Sequence, residues 1–138
     1  GGRIVRAESP MHGRTSQINH DAVNLFAGIP SPMTACRYHS LVVDPATLPR
    51  SLTVTACDAA GTIMAIADES RGIHGVQFHP ESVLTCHGYR LLANFLDLTG
   101  LPHLGRFADL LDADVAVQAG QTASHAGRWP PGDPVPTF

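Results

Sequence analysis

The feature that most constrains this chain is a switch of periodicity across one short segment. Residues 73–78 are apolar apart from His74, Gly75 and Gln77, the pattern of a strand buried on both faces. Beyond Ser82, the residues Leu91, Leu92, Phe95, Leu96 and Leu98 recur at three- and four-residue intervals, which builds one apolar helix face. Between strand and helix stands His79-Pro80-Glu81. Pro80 fixes its own φ and pushes His79 toward extended geometry. Residues two apart in an extended segment point to the same side, so His79 and Glu81 are expected to lie side by side. An imidazole accepts a proton near neutral pH, and a carboxylate on its far nitrogen fixes the tautomer and stabilises the imidazolium. The pair is the base-and-orienter half of a nucleophilic site. Alone, the three letters more often mark a structural histidine beside a surface glutamate; the strand before and the helix after favour the catalytic reading.

The rest of the chain supplies short β-prone segments. Residues 2–7 alternate as a strand, 8–13 read as a turn-rich loop, and 15–20 as an edge strand or ordered loop. Leu25 and Phe26 are a brief apolar anchor before the breakers Gly28, Pro30 and Pro32. Residues 34–39 and 41–43 form a β-rich pair closed by Asp44-Pro45, and 52–57 and 62–66 flank a hairpin connection at 58–61. For the helix, Thr85 is the expected cap, Gly100 the stop, and Pro102 the block to continuation. Residues 102–119 read as a short helical extension. Residues 120–138, rich in Gly, Pro, Ser and Thr and carrying Trp129, read as a flexible tail or linker.

Composition narrows the classes. A chain of 138 residues is one domain's worth, and a hydrophobic share of 43% is that of a globular protein. No apolar run reaches the roughly 20 residues that span a bilayer, so no membrane partner is expected. A net charge of −3 gives no electrostatic argument for nucleic acid. Three cysteines without paired spacing make no disulfide framework and suit a reducing, cytoplasmic setting. The opening Gly1-Gly2-Arg3 runs straight into a strand-like segment and reads as cut from something longer.

Four blocks in register resemble one family. Residues 75–82 (GVQFHPES), followed by Thr85, Gly88 and residues 91–96, look like the C-terminal part of class I glutamine amidotransferases. Residues 11–16 (MHGRTS) with His20, and residues 37–41 (RYHSL), are similar to the glutaminase components of anthranilate synthase and aminodeoxychorismate synthase. The resemblance covers residues 1–101. It implies an α/β fold, the C-terminal portion of a flavodoxin-like domain with a mainly parallel core sheet and antiparallel additions. It implies a Cys-His-Glu triad that releases ammonia from L-glutamine for a chorismate-processing synthase subunit or fused synthase domain. His79 would be the base and then the acid, Glu81 its orienter. Ser40 and Leu41 match the position whose backbone grips the α-amino and carboxylate ends of glutamine. No cofactor and no metal are implied.

The departure is the nucleophile, which in this family sits in a Gly-x-Cys-x-Gly elbow upstream of these blocks. Cys36, Cys57 and Cys86 lack that pattern, so the isolated chain is expected to be inactive. Cys36 and Cys57 read as buried small hydrophobes, and Cys86 sits on the same short loop as its would-be base, where a lowered pKa and an oxyanion site rarely coincide. The histidines lack common zinc spacing. Arg14 reads as either a solvated loop cation or a contact to the synthase partner, and its place in the block that marks the chorismate subgroup favours the second. Two other readings stand beside this one: a non-catalytic module docking on a synthase, and a small metal-binding α/β protein. Missing neighbours for residues 73–78 would leave apolar sheet edge exposed and the chain marginally stable or aggregation-prone.

Overall fold

A computed structural model of the chain describes residues 1–101 and 105–125. Five strands, β1 (Ile4–His20), β2 (Met33–Val43), β3 (Thr53–Asp58), β4 (Ile63–Asp68) and β5 (Ile73–Val76), form one sheet of order β2-β1-β3-β4-β5. Two helices follow, α1 (Gly88–Leu98) and α2 (Gly105–His125). The α/β class expected from the sequence is the one observed.

The sheet differs from expectation in direction. All four ladders are antiparallel, so the described residues hold the antiparallel additions and not a mainly parallel core. The links at 59–62 and 69–72 are too short for the crossover that parallel neighbours need. The expected hairpin forms as β3 and β4. Asp58 organises it, Oδ1 accepting from the Ala60 and Thr62 amides at 3.0 and 2.8 Å.

The segments expected as strand (2–7), loop (8–13) and edge strand or ordered loop (15–20) are, from Ile4 on, one strand, β1. The polar stretch 7–10 is absorbed as an irregularity: Arg6 pairs with Leu41 and Met11 with His39, so four residues of β1 oppose Ser40 alone. Pro10 falls inside this bulge, where a missing N–H disrupts no ladder bond. Pairing with a long continuous β2 overrides the turn-forming composition.

Burial is also distributed differently. The strand covered on both faces is β4, with Ile63, Met64, Ala65, Ala67 and Asp68 all buried. β5 is instead an edge, running from Ile73, 46% exposed, toward the buried Phe78. An apolar run reports that a strand contacts core, not which place in the sheet it takes. The sheet then curls. Gln77 N–H donates to Met64 O at 2.8 Å, and two residues on His79 N–H donates to Cys36 O at 3.0 Å. The segment after β5 thus bridges β4 and the opposite edge, β2. Ile18, Phe26, Met33, Met64, Phe78 and Leu91 pack inside this curl.

Helix α1 lies where its periodicity places it. Its buried Leu91 joins the core, and the Asn94 amide donates to Leu25 O and Ala27 O at 3.0 and 2.9 Å. Gly100, at φ +76°, follows its end as expected. The cap does not come from Thr85. Asp112 of α2 accepts from the Tyr89 and Arg90 amides at 3.0 Å each, satisfying donors that a helix start leaves unpaired and placing an anion at the positive end of the dipole. Arg90 also pairs with Asp109. Helix α2 carries regular structure to His125, into the segment expected as a tail; Pro102 and residues 126–138, Trp129 included, lie outside the described residues.

Candidate active site

Residues 77–87 form a loop laid along the free edge of β2. His79 N–H donates to Cys36 O at 3.0 Å, and Cys86 N–H to Thr34 O at 2.9 Å. Between them sits Thr85, 2% exposed: its hydroxyl accepts from Cys36 N–H at 3.0 Å and donates to His79 O at 2.6 Å. An edge strand's outward amides and carbonyls must find partners, and here they anchor the loop that carries His79.

Within the loop, Ser82 N–H donates to His79 O at 3.2 Å. His79-Pro80-Glu81-Ser82 is therefore a turn, not the extended segment expected, and Pro80 takes the second turn position, where its fixed φ suits the chain reversal. The side chains meet all the same, His79 Nδ1 lying 2.7 Å from Glu81 Oε1. The hydrogen bond from His79 holds the Glu81 carboxyl below its ordinary value. An ionised carboxylate only accepts, so Nδ1 carries the proton and Nε2 presents a lone pair. That arrangement can take a proton from a thiol, hydroxyl or water at Nε2 and return it. The His79 side chain is 43% exposed, accessible to a reactant.

Two neighbours complete the setting. The Tyr38 ring stands edge-on to His79, centroids 5.5 Å apart, and edge-on to His12 at 5.0 Å, its register partner on β1. Gly88 opens α1 directly beneath the turn: a Cβ there would fall 1.9 Å from Pro80 O. The absence of a side chain at 88 is what lets helix and turn approach.

The expected substrate-binding pair lies on β2, the strand that also carries Tyr38. Ser40 and Leu41 are exposed on β2, and Ser40 stands two residues beyond Tyr38, on the same strand face. Among the described residues no hydrogen bond joins either to His79 or Glu81. The Leu41 carbonyl instead accepts from His39 Nδ1 at 3.1 Å. His39 Nε2 in turn lies 3.0 Å from Arg37 Nε. Arg37, 5% exposed, also donates to Asp58 Oδ2 at 2.8 Å and Ser16 Oγ at 3.0 Å. Burial, and then the Arg37 charge, push the His39 imidazole below its ordinary value.

Comparison with known proteins decides the family. The family described as glutamine amidotransferase class-I matches residues 1–98. This chain belongs to that family. Among its relatives, the aminodeoxychorismate/anthranilate synthase component 2 of Bacillus subtilis (strain 168) is 53% identical over 97 residues, which are 70% of this chain and 50% of that protein. The aminodeoxychorismate synthase component 2 of Escherichia coli (strain K12) is 50% identical over 96 residues, 70% of this chain and 51% of that one. The chain thus spans about half the length of the curated relatives it matches. In three dimensions it is similar to a protein described as a putative GMP synthase component from Thermoplasma acidophilum, with a TM-score of 0.67 and 28% identity, covering 72% of this chain and 49% of that one.

The remaining chemistry-bearing residues of this chain fall into place individually. Cys36 is fully buried, Cys57 is half-buried where full burial was expected, and Cys86 is exposed. Burial, and then the Asp58 charge, raise the Cys57 thiol. His20 stacks on Phe26, centroids 4.6 Å apart; its Nε2 lies 3.0 Å from Pro30 O and its Nδ1 accepts from the Ala22 amide at 3.1 Å, a histidine satisfied by structure. Among the described residues no group of three or more His, Cys, Asp and Glu could hold a metal ion, and no helix is long and apolar enough to cross a membrane. Sequence reasoning missed Thr85 as an anchor of His79, and missed the set Arg37, Asp58 and His39. A buried arginine inside a strand is rare without a partner, and that was the available signal.

Proposed function

We propose that this chain is the C-terminal half of a glutaminase that supplies ammonia from L-glutamine to a chorismate-processing synthase subunit, in the cytoplasm. The observation that carries the reading is the 2.7 Å contact between His79 Nδ1 and Glu81 Oε1, set in a chain about half-identical to two component 2 proteins.

The mechanism follows from that contact. His79 Nε2 takes the proton of a cysteine thiol carried on polypeptide outside this chain. The thiolate adds to the carboxamide carbon of glutamine, the C–N bond breaks, and His79 returns the proton to the leaving ammonia. Water then attacks the thioester as Nε2 takes its proton. The thiol is regenerated and glutamate leaves. Glu81 stays ionised throughout, holding the imidazole and stabilising the imidazolium. The Ser40–Leu41 backbone supplies fixed groups to the zwitterionic end of glutamine, and Arg14, exposed on β1, meets the synthase. Regiochemistry of chorismate amination belongs to that partner.

The test is glutamate release from L-glutamine by this chain, alone and mixed with the remaining half of a component 2 relative. Turnover is expected only in the mixture, and His79→Asn removes it. Turnover by the chain alone that disappears with Cys86→Ser would place the nucleophile here and refute the arrangement. A mixture that associates without turnover would mark a docking module instead.

A further inference from the structure

The side chains of Arg37, Asp58, Ser16 and His39 form a connected set that the His79–Glu81 chemistry does not use. Its logic rests on which atoms can donate. A guanidinium has donors only and stays charged in a protein. With Arg37 Nε 3.0 Å from His39 Nε2, that nitrogen must be the acceptor, so the imidazole proton sits on Nδ1. From Nδ1 it has one geometric use: donation to Leu41 O, 3.1 Å away. Arg37 is itself held, Nη1 donating to Asp58 Oδ2 and Ser16 Oγ at 2.8 and 3.0 Å. Asp58 is held by its hairpin through Oδ1. A chain of fixed polarity thus runs from β3 through Arg37 and His39 to the carbonyl of Leu41.

The stretch receiving this constraint needs one. Ser40 faces the β1 bulge and has no register partner there, although His39 and Leu41 on either side pair with Met11 and Arg6. A neutral imidazole spans this gap, reaching along its own strand to the residue two ahead. We infer that Arg37, Asp58 and His39 are positioning residues: they lock one tautomer of His39, which aims the Leu41 carbonyl and so shapes the Ser40–Leu41 backbone for the zwitterionic end of L-glutamine. This deepens the function proposed above and rests on it for the identity of the ligand.

The lock has a built-in acid sensitivity. A second proton on His39 would fall on Nε2 and set donor against donor at Arg37. The groups facing the ring are Arg37 on its own strand and Asp58 from β3, with Ser16 of β1 sharing the guanidinium and Glu8 of β1 lining the cavity beside Arg37 and Asp58. Burial and the Arg37 charge hold the imidazole neutral to lower pH than an ordinary histidine.

Two variants separate positioning from mere filling of space. In His39→Asn the amide nitrogen occupies the place of Nδ1 and still donates to Leu41 O; in His39→Gln the amide oxygen occupies the place of Nε2 and serves Arg37 but not Leu41. Nitrogen-15 NMR of the full chain reads the tautomer directly, and the expected result is a protonated Nδ1 and an unprotonated Nε2 on His39 above neutral pH. Glutamine hydrolysis by the chain mixed with the remaining half of a component 2 relative reads the consequence. His39→Gln is expected to raise KM for L-glutamine about tenfold, the effect of one misdirected hydrogen bond, with kcat nearly unchanged, and His39→Asn to restore most of it. The Nε2–H tautomer in the spectrum, or equal KM changes in both variants, overturns the inference. If the unsubstituted mixture folds and associates yet hydrolyses nothing, the glutaminase reading fails and the substrate role fails with it, while the spectrum still decides the lock.

Discussion

Thr85→Val isolates the contribution of the tie between the His79 loop and β2. Valine has nearly the shape of threonine, so the 2% exposed site keeps its packing and opens no cavity. Two hydrogen bonds are lost, one from Cys36 N–H at 3.0 Å and one to His79 O at 2.6 Å. They are unequal losses. His79 O keeps a second donor in the Ser82 amide at 3.2 Å, whereas Cys36 N–H is left pointing at a methyl group on a buried strand. An orphaned buried donor costs about 1–3 kcal/mol, and the lost bond to a still-partnered carbonyl adds about 0.5–1 kcal/mol. The expected destabilisation is therefore about 1.5–4 kcal/mol. Thr85→Ser keeps the hydroxyl and removes one methyl, for about 1 kcal/mol. Urea unfolding of the three proteins measures the difference, and amide exchange at Cys36 locates it, the rate rising about tenfold or more in the valine variant. Equal stability of the valine and serine variants, with unchanged exchange at Cys36, would refute the reasoning, because the hydroxyl would then contribute nothing that a methyl does not.

Other outcomes follow from the same geometry. Gly88→Ala, whose new Cβ would meet Pro80 O at 1.9 Å, forces backbone to move; a loss above about 3 kcal/mol and a changed His79–Glu81 coupling by NMR are expected, and wild-type stability would contradict the close approach. Asp112→Ala strips the α1 amides of Tyr89 and Arg90 of their acceptor and is expected to cost about 1–2 kcal/mol, as helix caps do, with faster exchange at those two amides. Acid should weaken the fold in two stages. The His39 imidazole is held below its ordinary 6.5, first by burial and then by Arg37, so the unfolded chain takes up a proton that the folded chain refuses, and stability falls as pH drops through that ordinary value. Burial alone would raise the Asp58 carboxyl, but bonds from Thr62 and Arg37 and the Arg37 charge together hold it below its ordinary 3.8; its contribution is complete above that value and disappears as pH falls through the lowered one. Urea midpoints across this range check both stages: His39→Asn should erase the first, and Asp58→Asn should diminish the second, which the lowered Asp68 and Glu81 carboxyls share.

Local patterns carried a definite share of this protein. The spacing of Leu91, Leu92, Phe95 and Leu96 is a helix in any context that buries one face, and Asp58 to Gly61 closes a hairpin with its own side chain, so both were readable from sequence. His79 and Glu81, two residues apart around a proline, could meet in an extended segment or in a turn. Their contact was legible while the geometry that achieves it was not. Family membership was legible too, because four separate blocks in order are hard to reach by accident.

Contacts between residues distant in sequence were not legible, because nothing local specifies them. That Cys36 and Thr85 share a hydrogen bond depends on a sheet curling until the segment after β5 reaches β2. That Asp112 caps α1 depends on how α2 folds back. That Arg37, Asp58 and His39 act on Leu41 depends on the register of three strands. A sequence states which groups need partners, since a buried amide or guanidinium left alone is costly wherever it falls. Only the folded chain decides which partner each one gets.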